Sequence, residues 1–204
     1  MLEWATFAIE TRKKMPRASI LNSLVAFILL TVFAGFSVAQ KPLTLPPPNI
    51  QATSFILLDA KTNKVLAEEN SDERKAPASL TKIMTGYLVE QEINLGRLGV
   101  EEEVQISVNA WRTGGSKMFI REGTRVTVED LLKGVIIQSG NDASVALAEH
   151  IAGSEFDFAG LMNEQAKALG MNDTNFENPT GLPNDNHYST ATDLAKLTRA
   201  LIND

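Results

Sequence analysis

The chain contains no cysteine. That excludes a disulfide-stapled scaffold, a zinc–thiolate site and a cysteine nucleophile. Histidine is nearly missing too. The two present, His150 and His187, are too few for a multi-histidine metal centre. Thirteen glycines and eight prolines in 204 residues exclude a collagenous or low-complexity chain. Positive charge is the minority sign, with 19 Lys+Arg against 25 Asp+Glu and a net charge of −6. The chain therefore lacks the basic excess with which a nucleic-acid binder displaces counterions, and no nucleic-acid partner is expected. What is there, 44% hydrophobic and 22% charged residues, is ordinary for a folded domain. The length suits one domain or a piece of a larger one.

The first segment reads as an address. Residues 12–17 (RKKMPR) carry four positive charges, and no charge follows from Ala18 to Ala39. Within that stretch Leu24 to Phe36 is strongly apolar, and Ser37-Val38-Ala39 places small residues where a signal peptidase reads. The pattern is that of a secretory signal peptide, residues 1–39, cut after Ala39. An uncleaved membrane anchor is the rival reading, since the uncharged run is long enough to span a bilayer. Gln40 to Asn49 holds four prolines, and residues 40–50 read as an extended linker. Export places the chain in the periplasm or on the outer face of the cytoplasmic membrane.

Residues 51–204 read as the folded part. Ala52–Leu58 and Val65–Glu68 are expected to form a hairpin around a turn in which Asn63 takes positive φ. Pro77 opens a helix with Leu80, Ile83, Met84, Tyr87 and Leu88 at helical spacing. Short strands are expected at Val104–Val108, Met118–Ile120 and Arg125–Val128. Thr127 to Asp130 resembles a capping box and starts a helix to about Ile137. Asn141 or Asp142 is expected to cap a helix ending near Gly153. Ser154 starts another, with Phe158, Leu161, Met162, Ala166 and Leu169 on one stripe. A last helix covers about Thr192 to Ile202.

The chemistry centres on Ser79-Leu80-Thr81-Lys82. Residues three apart share a helical face, so the Lys82 amine falls beside the Ser79 hydroxyl. A serine needs a neighbouring base to become a nucleophile. Lysine serves as that base once burial and a helix N-terminus disfavour its ammonium form. The spacing alone is weak, because a serine three residues before a lysine turns up by chance in a chain of this length. Ser139-Gly140-Asn141 lies sixty residues on, in a turn between two expected helices. There a serine hydroxyl can relay protons, and the Asn141 amide can hold a substrate carbonyl and the lysine. In isolation the tripeptide reads equally as a turn and a helix cap.

Together these segments resemble the low-molecular-mass penicillin-binding proteins that are serine-type D-alanyl-D-alanine carboxypeptidases, peptidase family S11. The resemblance runs from about Ala52 to the end of the chain. It is carried by Leu58-Asp59-Ala60 with Val65-Leu66-Ala67-Glu68, by Pro77 to Thr85, by Gly134 to Ala143 and by His187 to Ala195. It implies an α+β, β-lactamase/transpeptidase-like fold: an antiparallel sheet packed with helices, plus a helical subdomain. It also implies a nucleophilic Ser79, a base Lys82, a proton-returning Ser139 and an Asn141 that positions substrate. The implied partners are peptidoglycan stem peptides ending in D-Ala-D-Ala and β-lactam antibiotics, with no metal or organic cofactor. A Ser-His-Asp triad from His187 and Asp193 is rejected, because Lys82 already fills the base role. Trp111 and Tyr87 are read as packing residues.

One departure stands out. The family's third motif, Lys-Thr-Gly or Lys-Ser-Gly on an edge strand, does not occur; Lys61-Thr62-Asn63 lies in the first hairpin. On this reading residues 51–204 are the N-terminal part of the catalytic domain, with the C-terminal strands missing, and alone they are poorly stable and nearly inactive. Membrane association would run through the missing segments. Two alternatives remain. A class A-like β-lactamase would need a Glu-x-x-Leu-Asn loop, which Glu177 to Gly181 does not match. A non-catalytic periplasmic peptidoglycan- or partner-binding remnant is suggested by the absent third motif.

Overall fold

The computed structural model describes residues 50–203. The expected leader and all of the expected linker up to Asn49 lie outside the described residues. Strands β1 (Phe55–Leu58) and β2 (Val65–Glu69) form an antiparallel hairpin with Phe55 opposite Glu69. Its turn is built as the sequence suggests: Asn63 has φ 58°, and the Asp59 carboxylate accepts the Thr62 N–H at 2.7 Å. A 3-10 turn (Ala78–Thr81) leads into α1 (Lys82–Asn94). Then come β3 (Glu103–Gln105), α2 (Val108–Arg112), β4 (Arg125–Thr127), α3 (Val128–Gln138), α4 (Asn141–Ala152), α5 (Glu155–Ala168) and α6 (Ala191–Asn203). β3 and β4 make a second antiparallel pair.

Helix starts follow local chemistry. Thr127, Ser154 and Thr190 each accept a backbone N–H three residues on, at Asp130, Asp157 and Asp193. Glycine in the left-handed region, Gly153 at φ 84°, ends α4. Three expectations are corrected. α4 is capped by the Gly140 backbone, with Asn141 and Asp142 already inside its first turn. The strand expected over Val104–Val108 is cut short because Ser107 caps α2, accepting the Ala110 N–H at 2.9 Å. Met118–Ile120 is a loop, because its three N–H groups donate to the Asp142 carboxylate instead of to a strand.

Two apolar clusters make the core. One gathers Val89, Val104, Ile106, Val128, Leu131 and Leu147; the other gathers Met84, Tyr87, Phe158, Met162, Phe176 and Leu197. α1 and α4 contribute to both. From Asn141 to Ala148 every residue of α4 is buried, and small side chains let its neighbours approach on all sides. On α5 the expected stripe buries Phe158, Met162 and Ala166, while Leu161 is 38% exposed. Tyr87 packs as expected, but Trp111 is 40% exposed. Among the described residues no helix is long and apolar enough to cross a membrane.

Candidate active site

The junction between the 3-10 turn and α1 sets the central pair. The sequence reading puts Ser79 in an α-helical turn; it lies in a 3-10 turn, whose threefold repeat eclipses residues three apart. The Lys82 Nζ lies 3.4 Å from the Ser79 Oγ. That is a long contact, as catalytic hydrogen bonds often are before substrate arrives. Ser79 is exposed and Lys82 is 6% exposed. Burial pushes the Lys82 amine down to a pKa of about 8. The residue before the nucleophile, Ala78, holds φ 47°, a left-handed conformation that side chains normally avoid. Gly181 crosses directly over it, and a Cβ on that glycine would collide with the Ala78 carbonyl.

Lys82 Nζ also donates to the Thr180 carbonyl at 2.6 Å. That carbonyl belongs to a strap, residues 177–182, laid across the start of α1. The Asn178 Oδ1 organises the strap by accepting from the Thr180 N–H, the Thr180 hydroxyl and the Gly181 N–H at 2.8–3.1 Å. Pro179 takes the Thr85 hydroxyl at 2.7 Å. With one N–H committed to Thr180, a neutral Lys82 amine can turn its lone pair to the Ser79 hydroxyl. A buried amine and an exposed hydroxyl so placed can exchange a proton, which is what a serine nucleophile requires.

The Ser139-Gly140-Asn141 turn reaches the pair from the other side. Ser79, Lys82 and Ser139 line one cavity of about 330 Å³, together with Ile83, Gly86 and Ile136. Ser139 is left-handed (φ 52°, ψ 38°), and its buried Oγ has no hydrogen-bond partner. A buried hydroxyl left unpaired at a strained residue is costly, and such strain clusters at functional sites. Asn141 is not in this cavity lining. Its Nδ2 donates to the Gly114 carbonyl at 2.7 Å, while the Lys82 amine is bonded to Ser79 and to the Thr180 carbonyl. Asp142, fully buried, accepts N–H groups from Met118, Phe119, Ile120 and Ala143 at 2.9–3.3 Å and ties the 118–120 loop to this turn. A larger groove of about 580 Å³ between β1, residues 75–83 and α6 contains none of the four sequence-selected residues.

The sequence reading missed Thr180, Asn178 and Asp142. Thr180 acts through its carbonyl, which has no residue-type signature. The His187–Asp193 triad is not formed. Asp193 accepts from the Asp173 N–H, Thr174 and Lys196, while His187 bonds Thr81 and Glu177. Among the described residues no group of three or more metal-ligating side chains is assembled.

The solved D-alanyl-D-alanine carboxypeptidase DacD of Francisella tularensis is similar with a TM-score of 0.75 at 46% identity, over 83% of this chain and 42% of that one. Penicillin-binding protein 5 of Haemophilus influenzae gives 0.76 at 42% identity, over 78% and 47%. The fold is thus the α+β architecture of the penicillin-binding, transpeptidase-like proteins. Residues 40–204 match peptidase family S11, D-alanyl-D-alanine carboxypeptidase, and the chain belongs to that family. D-alanyl-D-alanine carboxypeptidase DacC of Escherichia coli is 44% identical over 92% of this chain and 48% of its own length. DacF of Bacillus subtilis is 43% identical over 90% and 47%. The chain spans about half the length of the curated relatives it matches.

Proposed function

We propose that the protein is a serine D,D-peptidase that removes the terminal D-alanine from peptidoglycan stem peptides. The observation that carries this is the exposed Ser79 hydroxyl beside a buried lysine whose pKa burial lowers to about 8. Ser79 Oγ attacks the carbonyl carbon between the two D-alanines and passes its proton to Lys82 Nζ. The Ser79 N–H supplies one oxyanion donor. As the C–N bond breaks, the proton returns from Lys82 through the Ser139 hydroxyl to the leaving D-alanine amine. The unpartnered Ser139 Oγ in the same cavity supports that role. Water then cleaves the acyl-enzyme. Asn141, two residues after Ser139, orients the substrate. A β-lactam acylates the same oxygen. No cofactor takes part.

This assigns residues 51–204 to the N-terminal part of the catalytic domain, after an export signal in residues 1–39 and a linker in 40–50. The protein then works outside the cytoplasm, in maturation of the wall and maintenance of cell shape. The Glu177 carboxylate accepts from Asn175 Nδ2 on the outside of the strap, which does not support a β-lactamase-type deacylating glutamate. The test is to treat the full-length protein with a fluorescent penicillin and with a peptide ending in D-Ala-D-Ala. A lasting adduct on the Ser79 peptide and release of D-alanine are expected, both lost in Ser79→Ala. An adduct that survives Ser79→Ala overturns the assignment, and rapid penicillin turnover favours a β-lactamase.

A further inference from the structure

His187 is 4% exposed, and the reaction outlined above gives it no task. Its surroundings fix its state. The Glu177 backbone N–H donates to Nδ1 at 3.1 Å, so Nδ1 is unprotonated. The proton therefore sits on Nε2, which donates to the Thr81 Oγ1 at 2.9 Å. Phe176 meets the ring edge-on, with centroids 5.7 Å apart. One bond thus grips the first residue of the strap. The other grips a fully buried threonine between Ser79 and Lys82.

We infer that His187 is a positioning residue for Lys82: bridging Glu177 and Thr81, it fastens the strap over the Ser79–Lys82 turn and keeps the lysine amine dry and on the Thr180 carbonyl. The inference rests on the reading of Ser79 and Lys82 as nucleophile and base. The bridge needs a neutral ring. An imidazolium would turn Nδ1–H against the Glu177 N–H, donor against donor. Burial lowers the pKa of His187, opposed by the nearby Glu177 carboxylate. Glu177 is the charged group acting on the ring; Thr81 and Phe176, which pack it from other elements, are uncharged, and Lys82 follows Thr81 in the chain. An unfolded histidine takes up its proton near pH ~6.5, so the folded state loses stability as pH falls below that value.

The test is competitive labelling of the Lys82 amine in the full-length protein across pH, read by mass spectrometry. In His187→Ala the strap lifts and water reaches Lys82. Its apparent pKa should then rise by about one unit or more, a roughly tenfold fall in neutral amine at pH 7. In His187→Gln one acceptor and one donor remain, and the Lys82 titration should stay near that of wild type. Protection of the Glu177 amide, relative to the free-peptide exchange rate at the same pH, should fall in acid in wild type but not in His187→Gln, a response that packing alone would not give. An unchanged Lys82 titration in His187→Ala overturns the inference. So does a wild-type ¹⁵N spectrum with the proton on Nδ1, a measurement that stands even if the alanine variant fails to fold. If wild type takes no penicillin while Lys82 titrates as expected, the positioning role holds and the proposed function falls.

Discussion

At the scale of single residues, the consequential number is the Lys82 pKa of about 8. Below it the amine is mostly protonated and cannot take the Ser79 proton. Acylation by penicillin should therefore climb close to tenfold per pH unit between about 6 and 8, then level off. A pH series of second-order acylation rates checks this, and a flat profile across that range removes Lys82 as the base. The same shift bears on stability. An unfolded lysine keeps its proton up to about 10.5, so between 8 and 10.5 the unfolded state binds more protons and stability rises with pH. Below pH 8 the folded protein carries the whole burial cost, on the order of 3 kcal/mol. The contact of Ser79 with Lys82 was legible in the sequence because residues three apart share a face of a helical turn. Thr180 was not, because it contributes a carbonyl that any residue has. The bond from the Asn141 amide nitrogen to the Gly114 carbonyl was not legible either, since that partner lies on a loop 27 residues upstream.

At the scale of elements, two joints hold the site, and neither shows in local pattern. The first is Asp142. Its carboxylate takes the place of a neighbouring strand for Met118, Phe119 and Ile120, which is why an apolar run that reads as β is a loop. Asp142→Asn removes the charge and half the acceptor capacity. It should cost about 2–4 kcal/mol in chemical denaturation and speed hydrogen exchange at these three amides. Unchanged exchange would mean that the loop is held by something else. The second joint is Gly181, in the left-handed region (φ 81°) and pressed on the Ala78 carbonyl. A methyl group there cannot be absorbed by a flexible side chain, because the obstacle is backbone. Gly181→Ala should destabilise by roughly 3 kcal/mol or more and slow Ser79 acylation, because the strap must rise off Lys82. α3, α5 and α6 were legible, since Thr127, Ser154 and Thr190 cap them through contacts three residues long, whereas α2 was not expected and its first residue was read as strand. The strands were less so, because a strand is defined by a partner that can lie anywhere in the chain.

At the scale of the whole molecule, helix and sheet are unequally finished. α1 and α4 are shared by both apolar clusters, so the helical part is tied together by buried contacts on several sides. The hairpin is different. Among the described residues β1 pairs only with β2, and a two-stranded sheet is marginal by itself. Beside it the 580 Å³ groove is walled by Phe55, Ile56, Leu80, Ile83, Leu194 and Ile202, and Leu57, Leu66, Leu80 and Ile202 are each more than half exposed. Water in contact with that much apolar wall is unfavourable, and an unpaired strand edge invites association. Residues 40–204 produced alone should therefore bind an apolar dye such as ANS, melt over a broad range and acylate slowly. The hairpin and α6 should lose hydrogen-exchange protection before α4, which is buried on all sides. Sharp cooperative melting, no dye binding and brisk acylation would show that the helical part suffices to hold the Ser79–Lys82 turn, and that the exposed wall of the groove costs the fold little.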